Sequence, residues 1–150
     1  MASTRRDVLM TGLAGSAAFA GAFLWPPRAR AQDEALELVK RLTGKTATES
    51  DRLHLAMPAV FPTGYNVPMS LDIDSPMTEA DHVRQIRVFA SQNPIIEVVS
   101  FHFEPQRSVP RVSTRIRLAK PQYVVAVAEL NDGALLMTKT WVDVATDGCA

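Results

Sequence analysis

Apolar and polar residues alternate by two along much of the chain, in short runs separated by turn residues. In residues 66–74, Val67, Met69, Leu71 and Ile73 fall on one side, and Asn66, Pro68, Ser70 and Asp72 on the other. A period of two marks a strand with one buried face. Pro68 points to an edge or a strand start, because proline cannot donate to a ladder. Residues 82–90 and 95–103 read as two further strands across the turn Ser91-Gln92-Asn93-Pro94. In the second of these Val99, Phe101 and Phe103 share a face, opposite Ser100, His102 and Glu104. Residues 111–119 set Val112, Thr114, Ile116 and Leu118 against Arg111, Ser113, Arg115 and Arg117. The runs 123–130 and 134–144 flank Asn131-Asp132-Gly133, a hairpin signal. One more strand is predicted near residues 54–60.

A single segment has helical periodicity. In residues 33–44 the apolar side chains Ala35, Leu38, Val39 and Leu42 fall on one face. Asp33 and Glu34 suit the positive end of that helix, Lys40 and Arg41 its negative end, and Gly44 its stop. Short strands, regular turns and no alternating helices predict an all-β fold. The expected architecture is an immunoglobulin-like antiparallel β-sandwich of about seven strands with one N-terminal helix.

The first residues have a different character. Arg5 and Arg6 precede a mildly apolar run from residue 8 to 25, diluted by Gly12, Gly15, Ser16 and Gly21. Ala29-Arg30-Ala31 then forms a small-x-small cleavage site. The arginine pair after Ser3-Thr4 gives residues 1–31 the look of a twin-arginine signal, a route for proteins already folded. The expected organisation is a leader over 1–31, a sandwich domain with its helix over 32–144, and a C-terminal arm over 145–150. The expected location is the periplasm, with no membrane attachment after cleavage. The leader holds Arg5, Arg6, Arg28, Arg30 and Asp7, so the remaining 119 residues carry twelve basic and fifteen acidic side chains, a net charge near −3. That balance argues against a nucleic-acid binder.

Candidate chemistry is sparse in the strands. His54, His82 and His102 lack ligand spacing, so no metal site is expected. No nucleophile elbow or glycine-rich phosphate loop is present, and no cofactor is expected. Asp72, Asp74, Glu79 and Asp81 form an acidic stretch that reads as a solvated loop. Arg111, Arg115 and Arg117 form a basic stripe that suits either a solvated face or an acidic partner.

The exception is the tail. Cys149 is the one cysteine in the sequence. It has no partner for an internal disulfide. Gly148 before it frees the backbone, and Ala150 after it adds little bulk. Residues 145–149 span roughly 17 Å when extended. A thin segment ending in a thiol can enter another protein's cleft, whereas a pocket nucleophile needs a fixed base that no motif here supplies. The expected role is therefore a carrier arm, with no catalytic residues of its own.

Residues 74–105, residues 112–133 and the terminal cysteine together resemble the SoxY family, sulfur-carrier subunits of the periplasmic sulfur-oxidation (Sox) system. The resemblance implies a covalent carrier of thiosulfate oxidation that is not itself an enzyme. It implies a SoxZ-like partner, a haem-containing enzyme that loads thiosulfate oxidatively, a hydrolase that releases sulfate and further enzymes that oxidise the remaining sulfur. It makes Cys149 the covalent attachment site. Two positions depart from the family's glycine-rich arm: Asp147 stands where a glycine is usual, and Ala150 where another is. Residues 58–68 also differ from the more polar pattern expected there. The rival expectation is a periplasmic structural or chaperone-like sandwich whose tail cysteine only makes an intermolecular disulfide.

Overall fold

The computed structural model describes residues 27–145, with side chains from Glu34 onward. Helix α1 (Pro27–Thr43) is followed by nine strands: β1 (Thr48–Glu49), β2 (Leu53–Ala56), β3 (Val60–Phe61), β4 (Val67–Ile73), β5 (Val83–Ala90), β6 (Glu97–His102), β7 (Arg111–Ile116), β8 (Gln122–Leu130) and β9 (Leu135–Val144). They form two sheets. A six-stranded sheet runs β1-β9-β8-β5-β6, with β3 also on β9, and a three-stranded sheet runs β2-β4-β7. The all-β sandwich with one helix is as the alternation predicts.

Two details differ. The predicted strand over 54–60 is two strands, β2 and β3, and β1 was not anticipated. β1 and β3 are two residues each and pair parallel to β9, so the sandwich is not wholly antiparallel. Strands this short carry no alternation to read. The helix begins at Pro27 and not near Asp33. Proline is tolerated at a first helical position because its missing N–H has no partner to lose there. The predicted stop holds: Gly44 has φ 72°, and its N–H donates to Lys40 O at 2.8 Å.

The strand faces follow the sequence. Val67, Met69, Leu71 and Ile73 of β4 are buried. Pro68 sits where β4 has only β7 beside it, since β2 pairs no further than Ser70. The proline thus lies at a locally free edge of an otherwise central strand. Asn131, Asp132 and Gly133 turn β8 into β9; Gly133, at φ 84°, donates to Leu130 O at 3.0 Å.

The core has two parts on either side of the six-stranded sheet. Between the sheets lie Leu53, Val67, Met69, Leu71, Ile86, Val88, Val124, Ala126 and Val142, among others. On the outer face Ala35, Leu38 and Val39 of α1 cover Phe89, Val125, Val127, Leu135 and Met137. β8 is therefore apolar on both faces over residues 124–128, while the outer face of β5 carries Gln85 and Arg87 beside Phe89.

Lys45, just after the helix, fastens this layer. Its Nζ donates to Glu129 Oε1 at 3.2 Å and to Gly133 O at 3.3 Å. Gln85 Nε2 donates to the other oxygen of Glu129 at 2.8 Å. The Gln85 bond, aided by Lys45 and Arg84 and opposed by burial, holds the Glu129 carboxyl below its ordinary range. A depressed carboxyl pKa contributes stability above its unfolded value and loses it as pH falls through the folded value. Glu129→Gln should therefore lose up to about 1 kcal/mol at neutral pH. Urea unfolding of both proteins should find that difference shrinking in acid, and a difference that grows in acid would contradict the assignment.

Candidate functional site

The predicted carrier residues Asp147, Gly148, Cys149 and Ala150 lie outside the described residues, as do Arg5 and Arg6. What the structure fixes is the point from which residues 146–150 depart. β9 ends at Val144, and β3 runs parallel beside its last residues, Val60 opposite Asp143 and Phe61 opposite Val144. Asp143 N donates to Ala59 O at 2.8 Å, and Ala145 N donates to Phe61 O at 3.2 Å. Val142 and Val144 are buried between the sheets. The last strand is thus anchored by its side chains on one face and by β3 along its edge. Cys149 is four residues on from Ala145, which limits their Cα atoms to about 14 Å apart.

Beside that root the outer face changes from apolar to aromatic and charged. Leu135 and Met137 lie under α1, but Lys139 and Trp141, next on the same face, do not. Trp141 packs edge-on against Tyr123, its partner across the β8–β9 ladder, with ring centroids 5.0 Å apart. Lys139 Nζ sits 5.9 Å from the Tyr123 ring. A groove of about 430 Å³ lies between this pair and Glu34, Glu37 and Arg41 of the helix. Trp141 keeps 46% of its surface exposed.

The same end of the sheet is braced by a buried amide. Gln122 is 2% exposed and stands opposite Val142. Its Oε1 accepts from Gln92 N at 2.8 Å, and its Nε2 donates to Asn93 Oδ1 at 3.0 Å and to Lys120 O at 3.1 Å. These bonds hold the turn 91–94 against residues 117–122. The sequence marked 91–94 only as a turn; a glutamine heading an apolar run was the available sign that its amide would be satisfied indoors.

The other candidates do not converge. His54 meets Asp74 at 3.4 Å, His82 meets Thr78 O at 2.9 Å, and His102 is exposed elsewhere on β6. Asp72 stands opposite His54 across the β2–β4 ladder but pairs with Arg111 of β7 at 3.8 Å. Among the described residues no three His, Cys, Asp or Glu side chains gather to hold a metal ion. Arg111 and Arg115 lie on the exposed face of β7, as the alternation indicated, and Arg117 is exposed one residue past its end.

Fold and site together define a two-sheet β-sandwich protein with a helix on one outer face and a C-terminal segment delivered from an anchored last strand. The family model for sulfur oxidation protein SoxY matches residues 39–149, and the chain belongs to that family. The match runs through Cys149. The structure of the sulfur carrier protein SoxY from Chlorobium limicola f. thiosulfatophilum is similar at 27% identity and a TM-score of 0.59, covering 78% of this chain and 98% of that one. A superoxide reductase (neelaredoxin) from Ignicoccus hospitalis is similar at 18% identity and a TM-score of 0.56, covering 77% and 91%. A protein described as a superoxide reductase from Thermotoga maritima gives 19% and 0.57, covering 65% and 93%. These last two likenesses concern the fold alone. Among curated proteins none matches this sequence.

Proposed function

We propose that this chain is a sulfur carrier that presents oxidation intermediates of thiosulfate on Cys149. The observation that carries the reading is the SoxY family match, which extends over the sandwich and reaches the lone cysteine. The anchored root supports it. A carrier needs a scaffold that does not yield when its tail is drawn into an enzyme, and the last strand is held on its face and along its edge.

The chemistry places no catalytic demand on the sandwich. Oxidative loading joins the thiol sulfur to the outer sulfur of thiosulfate, releases the thiol proton and passes two electrons to the loading enzyme. Water then attacks the sulfonate sulfur of the adduct, which leaves as sulfate, and the second sulfur remains on Cys149 as a persulfide. Further enzymes oxidise that sulfur. Asp147 places a carboxylate two residues from the thiol and repels a dianionic substrate in water, with an effect that salt screens over roughly 8 Å. The activation of the thiol therefore comes from the enzyme that receives it. A SoxZ-like subunit is the proposed structural partner.

Intact-mass measurement of protein from thiosulfate-fed cells tests the reading. Adducts of thiosulfate and of single sulfur atoms, removed by reductant, are the expected result. A disulfide-linked dimer with no such adducts would support the structural role instead.

Export is proposed through the twin-arginine route, with cleavage after Ala31. Ala35 is the first buried residue among those of α1 whose side chains are described, and it lies beyond the proposed cut. Replacing Arg5 and Arg6 by lysine should leave uncleaved precursor in the cytoplasm on fractionation. Normal periplasmic accumulation of that variant would exclude the route.

A further inference from the structure

The two margins of the sandwich are built differently. At one, residues 48–61 lace the sheets together: β1 and β3 lie on β9, while β2 between them in sequence lies in the other sheet. Thr140 Oγ1 of β9 donates to Leu55 O of β2 across the gap at 3.2 Å. At the other margin β6 ends one sheet, β7 ends the other, and no ladder joins them. Asn93 ties one end of that margin, donating from Nδ2 to Arg117 O and accepting from Ala119 N at Oδ1, both at 2.8 Å.

An open groove of about 420 Å³ lies along this margin, with Asn93 at its tied end. Val98, Val99 and Ile116 line it, and Ile95 stands beside them with 75% of its surface exposed. Arg115, on the exposed face of β7, and Arg117, exposed one residue past its end, border the same groove. Nearby charges are already engaged: Arg111 pairs with Asp72, and Glu97, the carboxylate of the groove, pairs with Arg87. Among the described residues Arg115 and Arg117 make no ion pair.

We propose that this groove docks an extended segment of a partner protein, added as a strand along the free edge of β7, that alternates carboxylate and apolar side chains. The spacing of the arginines specifies the pattern. Side chains on one face of a strand recur every second residue, so carboxylates at alternate positions of an added strand meet both Arg115 and Arg117. The side chains between them turn inward toward Val98, Val99 and Ile116. The free backbone groups of an edge strand supply the ladder.

Charge also selects against a second copy of this chain. Antiparallel pairing of β7 with itself would set one arginine row against another, and like charges directly opposed are destabilising. The row thus blocks self-pairing and favours an acidic partner. β6 is separated from β9 by β5 and β8, so a segment seated here leaves the margin at the root of the C-terminal segment uncovered. The proposal holds whatever cargo Cys149 carries.

The test uses the mature chain and a short blocked peptide that alternates glutamate with valine, with a lysine–valine peptide as control. Amide NMR should register the glutamate peptide on residues 97–100 and 113–117, with weaker binding as salt is raised. The exposed double variant Arg115→Glu with Arg117→Glu, unchanged in its thermal transition, should weaken the glutamate peptide by about tenfold or more and gain affinity for the lysine peptide. Equal binding of both peptides to the wild type, no shift at millimolar peptide, or shifts confined to other strands would overturn the proposal. So would concentration-dependent shifts of the same amides without any peptide, which would assign the groove to a second copy.

Discussion

Cys149→Ser is expected to lose all covalent cargo while the protein folds and associates as before. A serine hydroxyl cannot form a bond to sulfur that a reductant reverses, so the effect on loading is complete and not graded. The sandwich should not register the change, because its described core is assembled from residues 35–144. Intact mass after exposure to thiosulfate and a loading enzyme should return the bare polypeptide for the variant and reducible adducts for the wild type. The thermal transitions of the two should coincide. Adducts that persist on the serine variant would move the attachment site away from Cys149 and remove the main support for a carrier arm.

Phe89→Ala should have the largest effect on the fold. Phe89 is fully buried on the outer face of the six-stranded sheet, beneath the α1 residues Ala35, Leu38 and Val39. The guanidinium of Arg87 lies 5.0 Å from its ring centroid. Truncation removes the ring's transfer free energy and leaves a cavity that the sheet and helix cannot both close, a loss of about 3–5 kcal/mol. Domains of this size have about 5–15 kcal/mol in total, so the variant should be close to unfolding. Denaturant titration measures the loss directly. A loss under about 1 kcal/mol would mean that α1 is not a structural cover for this face. Phe89→Leu, which keeps most of the volume, should recover most of the stability.

The two experiments separate the scaffold from the chemistry. A destabilised Phe89 variant that still loads cargo would indicate that delivery needs only the anchored end of β9, where β3 holds residues 143–145. Loss of both together would tie loading to the integrity of the helix-covered layer.

Local chemistry wrote much of this fold into the sequence. Alternation in β4 and β7 placed their inner and outer faces, the Asn131-Asp132-Gly133 turn joined β8 to β9, and Gly44 closed the helix. These features depend on nearest neighbours: side chains alternate across a strand, and glycine adopts a positive φ without a steric penalty. The identity of the one candidate thiol was equally plain, since Cys149 has no competitor. Contacts between distant residues were not legible. Nothing in two-residue strands announces that β1 and β3 pair parallel to β9, or that β3 anchors the root of the C-terminal segment. Met77 and Gln106 have φ of 51° and 62°, conformations that cost non-glycine residues about 1–3 kcal/mol, and the two loops meet where Gln106 N donates to Met77 O at 2.8 Å. The arginine stripe was visible as a pattern, but its two readings stood level. Only the packing of the sheets decided that Arg111 is engaged by Asp72 while Arg115 and Arg117 border an open margin, because which charges meet depends on which strands end each sheet.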